Sequence, residues 1–300
     1  MTGLETTRIS LKTGVTLKVA QGGPAAGEPI ILLHGFPESH RTWRHVAPAL
    51  AEEYRVLAPD QRGFGASDKP KGVDQYRADE TVADLLALAD AYGIERFTLV
   101  GHDWGGAVAW AAALKHADRL NRLVIVNAPH PWIFQRSVID DREQRAASQY
   151  IRAFQSPMME KTIDAMGLDA FYEKSFSGHV DLAKIPAEER DAYLDDWKRE
   201  GALTAMLNWY RATKIVVPAM DEGEPRPAWT RAPFPRVTVP TLVVWGMKDK
   251  ALLPLQLDGL NVQVNDLEIV RIEDAGHFVT WERPEPVVAA IRAFMKRPAS

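Results

Sequence analysis

The sequence contains no cysteine, which excludes disulfides, thiolate chemistry and any cysteine-built metal site. It has no apolar run approaching membrane-spanning length, and Met1 to Ser10 lack the basic-then-apolar pattern of a secretory leader. A cytoplasmic location without membrane contact is therefore expected. Charge is not concentrated either: the net charge of -4 is spread without blocks, so neither nucleic acid nor an anionic membrane is expected as a partner. Internal repeats and low-complexity tracts are missing. What remains is 300 residues with 46% hydrophobic and 25% charged side chains, a globular balance with apolar content for one large α/β domain or two small ones.

The chain is organised around Val100-Gly101-His102-Asp103-Trp104-Gly105-Gly106. Phe97 to Val100 form an apolar, β-branched run that reads as a buried strand, and Gly105 to His116 follow as a small-residue helix. Strand, sharp turn and helix meet at Asp103, where small neighbours permit a tight turn that pushes the side chain out. This is a nucleophile elbow carrying aspartate where serine is usual. A carboxylate acylates poorly but displaces a leaving group from saturated carbon, forming an alkyl ester. Epoxides or alkyl halides are the substrates this implies.

In chain order, Arg8 to Lys12 and Val15 to Val19 alternate apolar and polar residues around Thr13-Gly14, a hairpin signal. Ile30 to Leu33 reads as a buried strand ending in His34-Gly35-Phe36-Pro37, a turn placed where α/β sheets bind ligands. There the backbone N–H of Phe36, with that of Trp104, is positioned to hold the oxyanion of ester hydrolysis. His34 is read as structural. Trp43 to Glu52 is expected as an amphipathic helix, Arg55 to Pro59 as a strand, and Ala78 to Ala91 as a helix stopped by Gly93. The glycine-containing loop Asp60 to Asp68 lacks the GxxxxGK[ST] pattern and is read as scaffold. Leu123 to Val126 is the next strand. From about Pro131 to Pro235 the chain is helical and polar, without buried-strand runs, and is expected to lie over the strand ends as a lid. Alternation resumes with strands at Val237 to Trp245 and Leu267 to Ile272 and a final helix from Pro286 to Lys296.

An elbow nucleophile needs an acid and a histidine, in that chain order. Asp249 follows the strand ending at Trp245 and His277 follows the strand ending at Ile272. His277 is expected to activate the water that hydrolyses the ester, and Asp249 to fix its tautomer. Glu273 and Asp274 lie too close to His277 in sequence to fold back easily as the orienting acid.

With these residues in place, the chain resembles the α/β-hydrolase superfamily, specifically its branch with an aspartate nucleophile, the epoxide hydrolases and dehalogenases. The resemblance rests on HGFP at His34 to Pro37, GHDWGG at Gly101 to Gly106, NAPHP at Asn127 to Pro131, WGMKD at Trp245 to Asp249 and DAGH at Asp274 to His277. It implies a mostly parallel central sheet flanked by helices, with a helical cap inserted after the sixth strand. The core would be residues 1–130 and 236–300 and the cap 131–235. Opening an epoxide expels an alkoxide that needs a proton donor, whereas halide needs only solvating dipoles. Tyrosine hydroxyls remain protonated at neutral pH. Of the lid tyrosines, Tyr150 in Tyr150-Ile151-Arg152-Ala153-Phe154-Gln155 and Tyr210 in Leu207-Asn208-Trp209-Tyr210-Arg211 sit in strings similar to those around the paired lid tyrosines of epoxide hydrolases. Tyr172 and Tyr193 are read as packing or surface residues. Haloacetate dehalogenases carry arginines just after the nucleophile, where this chain has Trp104 and Ala107, and haloalkane dehalogenases usually place Asn where this chain has Phe36.

The expectation is thus an epoxide hydrolase that needs no cofactor or metal, taking a small apolar epoxide and water to a vicinal diol. A dehalogenase using the same Asp103 is the alternative, and a non-catalytic binding protein of this fold the remote one. Trp104, Phe36, Trp132, Phe154, Trp209 and Phe278 are the expected pocket walls. The protein is expected to be a monomer or homodimer.

Overall fold

The computed structural model describes residues 3–223 and 226–297. Eight strands form one sheet: β1 (Glu5–Ser10), β2 (Thr16–Gly22), β3 (Pro29–Leu33), β4 (Arg55–Pro59), β5 (Phe97–His102), β6 (Leu120–Val126), β7 (Thr241–Gly246) and β8 (Leu267–Ile272). Their order is β1-β2-β4-β3-β5-β6-β7-β8. The expected hairpin makes the first pair, with Ser10 opposite Thr16. β2 runs antiparallel to β4, and every later pairing is parallel.

Three helices precede β6: α1 (Val46–Leu50), α2 (Ala78–Ala91) and α3 (Trp104–Lys115). Between β6 and β7 come α4 (Pro131–Asp140), α5 (Arg142–Ala147), α6 (Gln149–Gln155), α7 (Met159–Met166), α8 (Leu168–Phe176), α9 (Ala187–Trp197) and α10 (Ala202–Ala212). After β7 come α11 (Leu260–Gln263), α12 (Val279–Glu282) and α13 (Pro284–Met295). Among the described residues no helix is long and apolar enough to cross a membrane.

Central strands covered on both faces carry near-continuous apolar runs, as residues 123–126 of β6 and 242–245 of β7 do. Leu99, Leu123 and Val243 join the core beneath α2 and α3. Val100, Val124 and Val244 face the opposite layer with Trp43, Val46, Ile291 and Phe294, which belong to α1, its approach and α13. The inserted helices are tied to the sheet's loops by the Trp197 indole donating to the Pro37 carbonyl at 2.9 Å, the Trp209 indole donating to the Arg62 carbonyl at 3.1 Å, and Arg41 gripping both oxygens of Glu189.

Several expected boundaries move by a few residues, two of them at a proline. The helix expected over Trp43 to Glu52 divides into a 3-10 turn, His40–Trp43, and the short α1. Pro48 has no N–H to give the Arg44 carbonyl, so the α-helical ladder cannot begin earlier. The strand expected from Val237 begins only at Thr241: Pro240 cannot donate to a ladder, and Val237 makes an isolated bridge to Val264.

Candidate active site

The C-terminal ends of β3, β5, β6, β7 and β8 bring the sequence-identified residues together. Asp103 stands between β5 and α3 with φ 51° and ψ -119°, a strained conformation for a residue with a side chain. The turn is possible because α3 approaches the sheet closely: a Cβ on Gly105 would lie 2.2 Å from the Leu33 carbonyl oxygen. Asp103 Oδ1 accepts the Phe36 N–H at 2.7 Å. Trp104 is the first residue of α3, so its amide is one of the free N–H groups of a helix start.

The other carboxylate oxygen, Oδ2, lies 3.8 Å from His277 Nε2. His277 Nδ1 is 2.8 Å from Asp249 Oδ2, which assigns Nδ1 as the protonated nitrogen of the neutral ring. Asp249 is fully enclosed. Its Oδ1 accepts the amides of Ala251 and Leu252, each at 2.9 Å, and its Oδ2 accepts Asn127 Nδ2 at 2.8 Å. Burial opposes ionisation of Asp249, but the charge and hydrogen bond of His277 with these donors hold its carboxyl below the usual range. Burial likewise opposes charge on His277, yet Asp249 and then Asp103 outweigh it and push the imidazole up to about 9. Asp274, the rival acid, is exposed and bound to Arg283 at 2.7 Å.

Above Asp103 lies an aromatic cluster from the inserted helices. Tyr150 of α6 and Tyr210 of α10 have ring centroids 6.1 Å apart. Tyr210 is 5.0 Å from each of Phe36, Trp104 and Phe154. Burial raises both phenols, followed by the negative charge of Asp103 for Tyr150 and by Tyr150 and then Asp103 for Tyr210, so both keep their protons. Phe154 packs on Phe36 at 5.0 Å. Trp209 backs Trp104 at 5.9 Å, and Phe278 backs His277 at 4.9 Å. Trp132 is not brought into this cluster; it carries the Arg136 guanidinium at 4.4 Å.

His34 has the structural place expected of it: Nδ1 lies 2.9 Å from the Gly35 carbonyl and Nε2 accepts the Gln61 amide at 3.0 Å. Tyr172 and Tyr193 are buried among Phe176 and Trp197. Three residues carry more than their sequence context signalled. Asn127, at φ 39°, bonds Asp249 and also accepts the Gly246 N–H at 2.8 Å. Beneath the histidine, buried His102 sets Nε2 2.8 Å from the His277 carbonyl and Nδ1 3.4 Å from Glu38 Oε2. Glu38 directly follows the turn at residues 34–37, and Asn127 opens the motif at residues 127–131, where nothing in its context marked a role for it.

A parallel sheet that delivers an elbow carboxylate, an acid after β7 and a histidine after β8 defines an enzyme of the alpha/beta hydrolase class. The profile of the alpha/beta hydrolase fold family matches residues 28–284, and the chain belongs to that family. It is 35% identical over 285 residues to the AB hydrolase superfamily protein YfhM of Bacillus subtilis, covering 94% of this chain and 95% of that one. It is 33% identical over 325 residues to epoxide hydrolase A of Mycobacterium tuberculosis, with 98% of each chain covered. Among solved structures it is similar to an epoxide hydrolase from metagenomes of hot environments, with a TM-score of 0.89, 44% identity, and 99% of this chain and 100% of the other covered.

Proposed function

We propose that this protein hydrolyses epoxides to vicinal diols through an ester on Asp103, with residues 131–235 acting as the cap that carries the proton donors. The observation that carries the reading is one carboxylate with two differently placed oxygens: Oδ1 held by the Phe36 amide, Oδ2 facing His277, and buried tyrosines above. The similarity to epoxide hydrolases supports it.

In the first step Asp103 Oδ2 attacks a ring carbon, the C–O bond breaks, and Tyr150 or Tyr210 gives its proton to the ring oxygen. The product is a hydroxyalkyl ester. Esterification removes the negative charge of Asp103, one of the groups holding the proton on His277. His277 passes that proton to the tyrosinate, and the neutral imidazole is then a base when the ester needs one. Water gives a proton to His277 Nε2 and attacks Cγ, and the oxyanion at Oδ1 is held by the amides of Phe36 and Trp104. Collapse releases the second diol oxygen with the remaining water proton, and His277 keeps the other, returning to its protonated resting state. Phe36, Trp104 and Phe154 form the apolar walls, with Trp209 and Phe278 behind them.

The test is a panel of a small aryl epoxide, a chloroalkane and fluoroacetate, scoring diol and free halide. Diol is expected from the epoxide, none from Asp103→Ala, and a fall of about 100-fold in Tyr210→Phe. Halide release without diol overturns the reading.

A further inference from the structure

His277 has three aromatic neighbours: His102 at 5.0 Å, Phe278 at 4.9 Å and His179 at 5.7 Å between ring centroids. The first two belong to the sheet's own loops. His179 comes from the inserted segment, just after α8, and packs on Phe278 as well, at 5.6 Å. Its segment is fastened to the core beside the catalytic acid, where Lys250 Nζ donates to the Gly178 carbonyl at 3.2 Å. On its other side lies a cleft of about 300 Å³ with walls that include Arg44, Lys184, Trp281 and Arg283. His179 therefore stands between a polar cleft and the outer face of the histidine–aspartate pair.

From this placement, and resting on the hydrolytic reading above, we propose that His179 is a positioning residue for the second half of the reaction, closing His277 against the cleft. An imidazole–carboxylate pair is strengthened by a dry surrounding and loosened by water, and a ring packed on one face limits the tilt of the base. His179 Nδ1 is buried without a hydrogen-bond partner among the described residues, so the ring is held by packing and by the Lys250 latch. Burial and the neighbouring His277 bring its pKa down to about 4. At neutral pH it is uncharged, and no second cation sits beside the base. Nothing places His179 against Asp103 or the tyrosines, so ester formation does not depend on it.

Single-turnover kinetics with an epoxide separates the two steps, ester formation on Asp103 and ester decay. In His179→Ala, decay is expected to slow about tenfold while formation stays within about twofold, so the ester accumulates. His179→Phe, which refills the space with a ring, is expected to recover most of the decay rate. Lys250→Gln, which weakens the latch, should fall between them. Unchanged decay in His179→Ala, or equal slowing of both steps, overturns the assignment. So does failure of Phe to recover the rate in a folded variant. If the unaltered protein forms no ester on Asp103, the hydrolytic reading itself fails, a result distinct from all of these.

Discussion

At the scale of single residues, the site depends on Asn127 as much as on the acid it serves. Its amide spans two elements, accepting the Gly246 N–H and donating to Asp249 Oδ2, both at 2.8 Å. Asn127→Ala leaves a buried N–H and a buried carboxylate oxygen short of a partner, at a cost of about 1–3 kcal/mol. Thermal unfolding should show the loss, and diol formation should fall about tenfold as Asp249 loosens its hold on His277. A variant with unchanged stability and rate would mean that backbone donors alone hold Asp249. Asp103, Asp249 and His277 were legible because each ends a recognisable strand, in the order the chemistry requires. Asn127 was not: its partners lie 119 and 122 residues away, and an asparagine after a strand reads as a turn. Trp132 lies outside the ring cluster around Asp103 and carries the Arg136 guanidinium; an aromatic beside a motif carries no sign of which way its ring points.

At the scale of elements, the elbow demands that α3 touch the end of β3. A Cβ on Gly105 would meet the carbonyl oxygens of Leu33 and His34 at 2.2 and 2.6 Å, and backbone on both sides cannot yield as a side chain can. Gly105→Ala is therefore expected to cost about 3 kcal/mol and to lower both Tm and activity, because α3 carries the Trp104 amide. A Tm within about 1 °C of the parent would contradict so close an approach. Two elements with unbroken patterns were legible to the residue: α2 spans Ala78–Ala91 and β8 spans Leu267–Ile272, as read. Those with a proline inside, α1 and the strand before β7, were not, because periodicity counts side chains while proline acts on backbone donors.

For the whole molecule, two buried histidines set opposite pH limits on stability. His130, where the chain leaves the core for the inserted helices, sits between Trp110 at 5.1 Å and Phe234 at 5.3 Å. Neither ring nitrogen has a partner among the described residues, and burial lowers its pKa to about 3. A group whose folded pKa lies below its unfolded value of 6.5 contributes stability above that value and loses it as pH falls toward about 3. His277 works in the reverse sense. Raised from 6.5 to about 9, it contributes fully below 6.5 and loses its contribution as pH rises through about 9. Each effect changes stability by about 1.4 kcal/mol per pH unit across its window, so stability should be greatest near pH 6.5, where both are nearly complete. Urea unfolding across pH tests this. His130→Phe, which fills the same slot without a titratable group, should make the acid side shallower and leave the alkaline side as it was, while His277→Gln should flatten the alkaline side. If His130→Phe leaves the acid slope unchanged, the acid limit belongs to other groups, the carboxylates and His179 with its pKa of about 4. The junction between sheet and inserted helices would then not be where the fold first gives way.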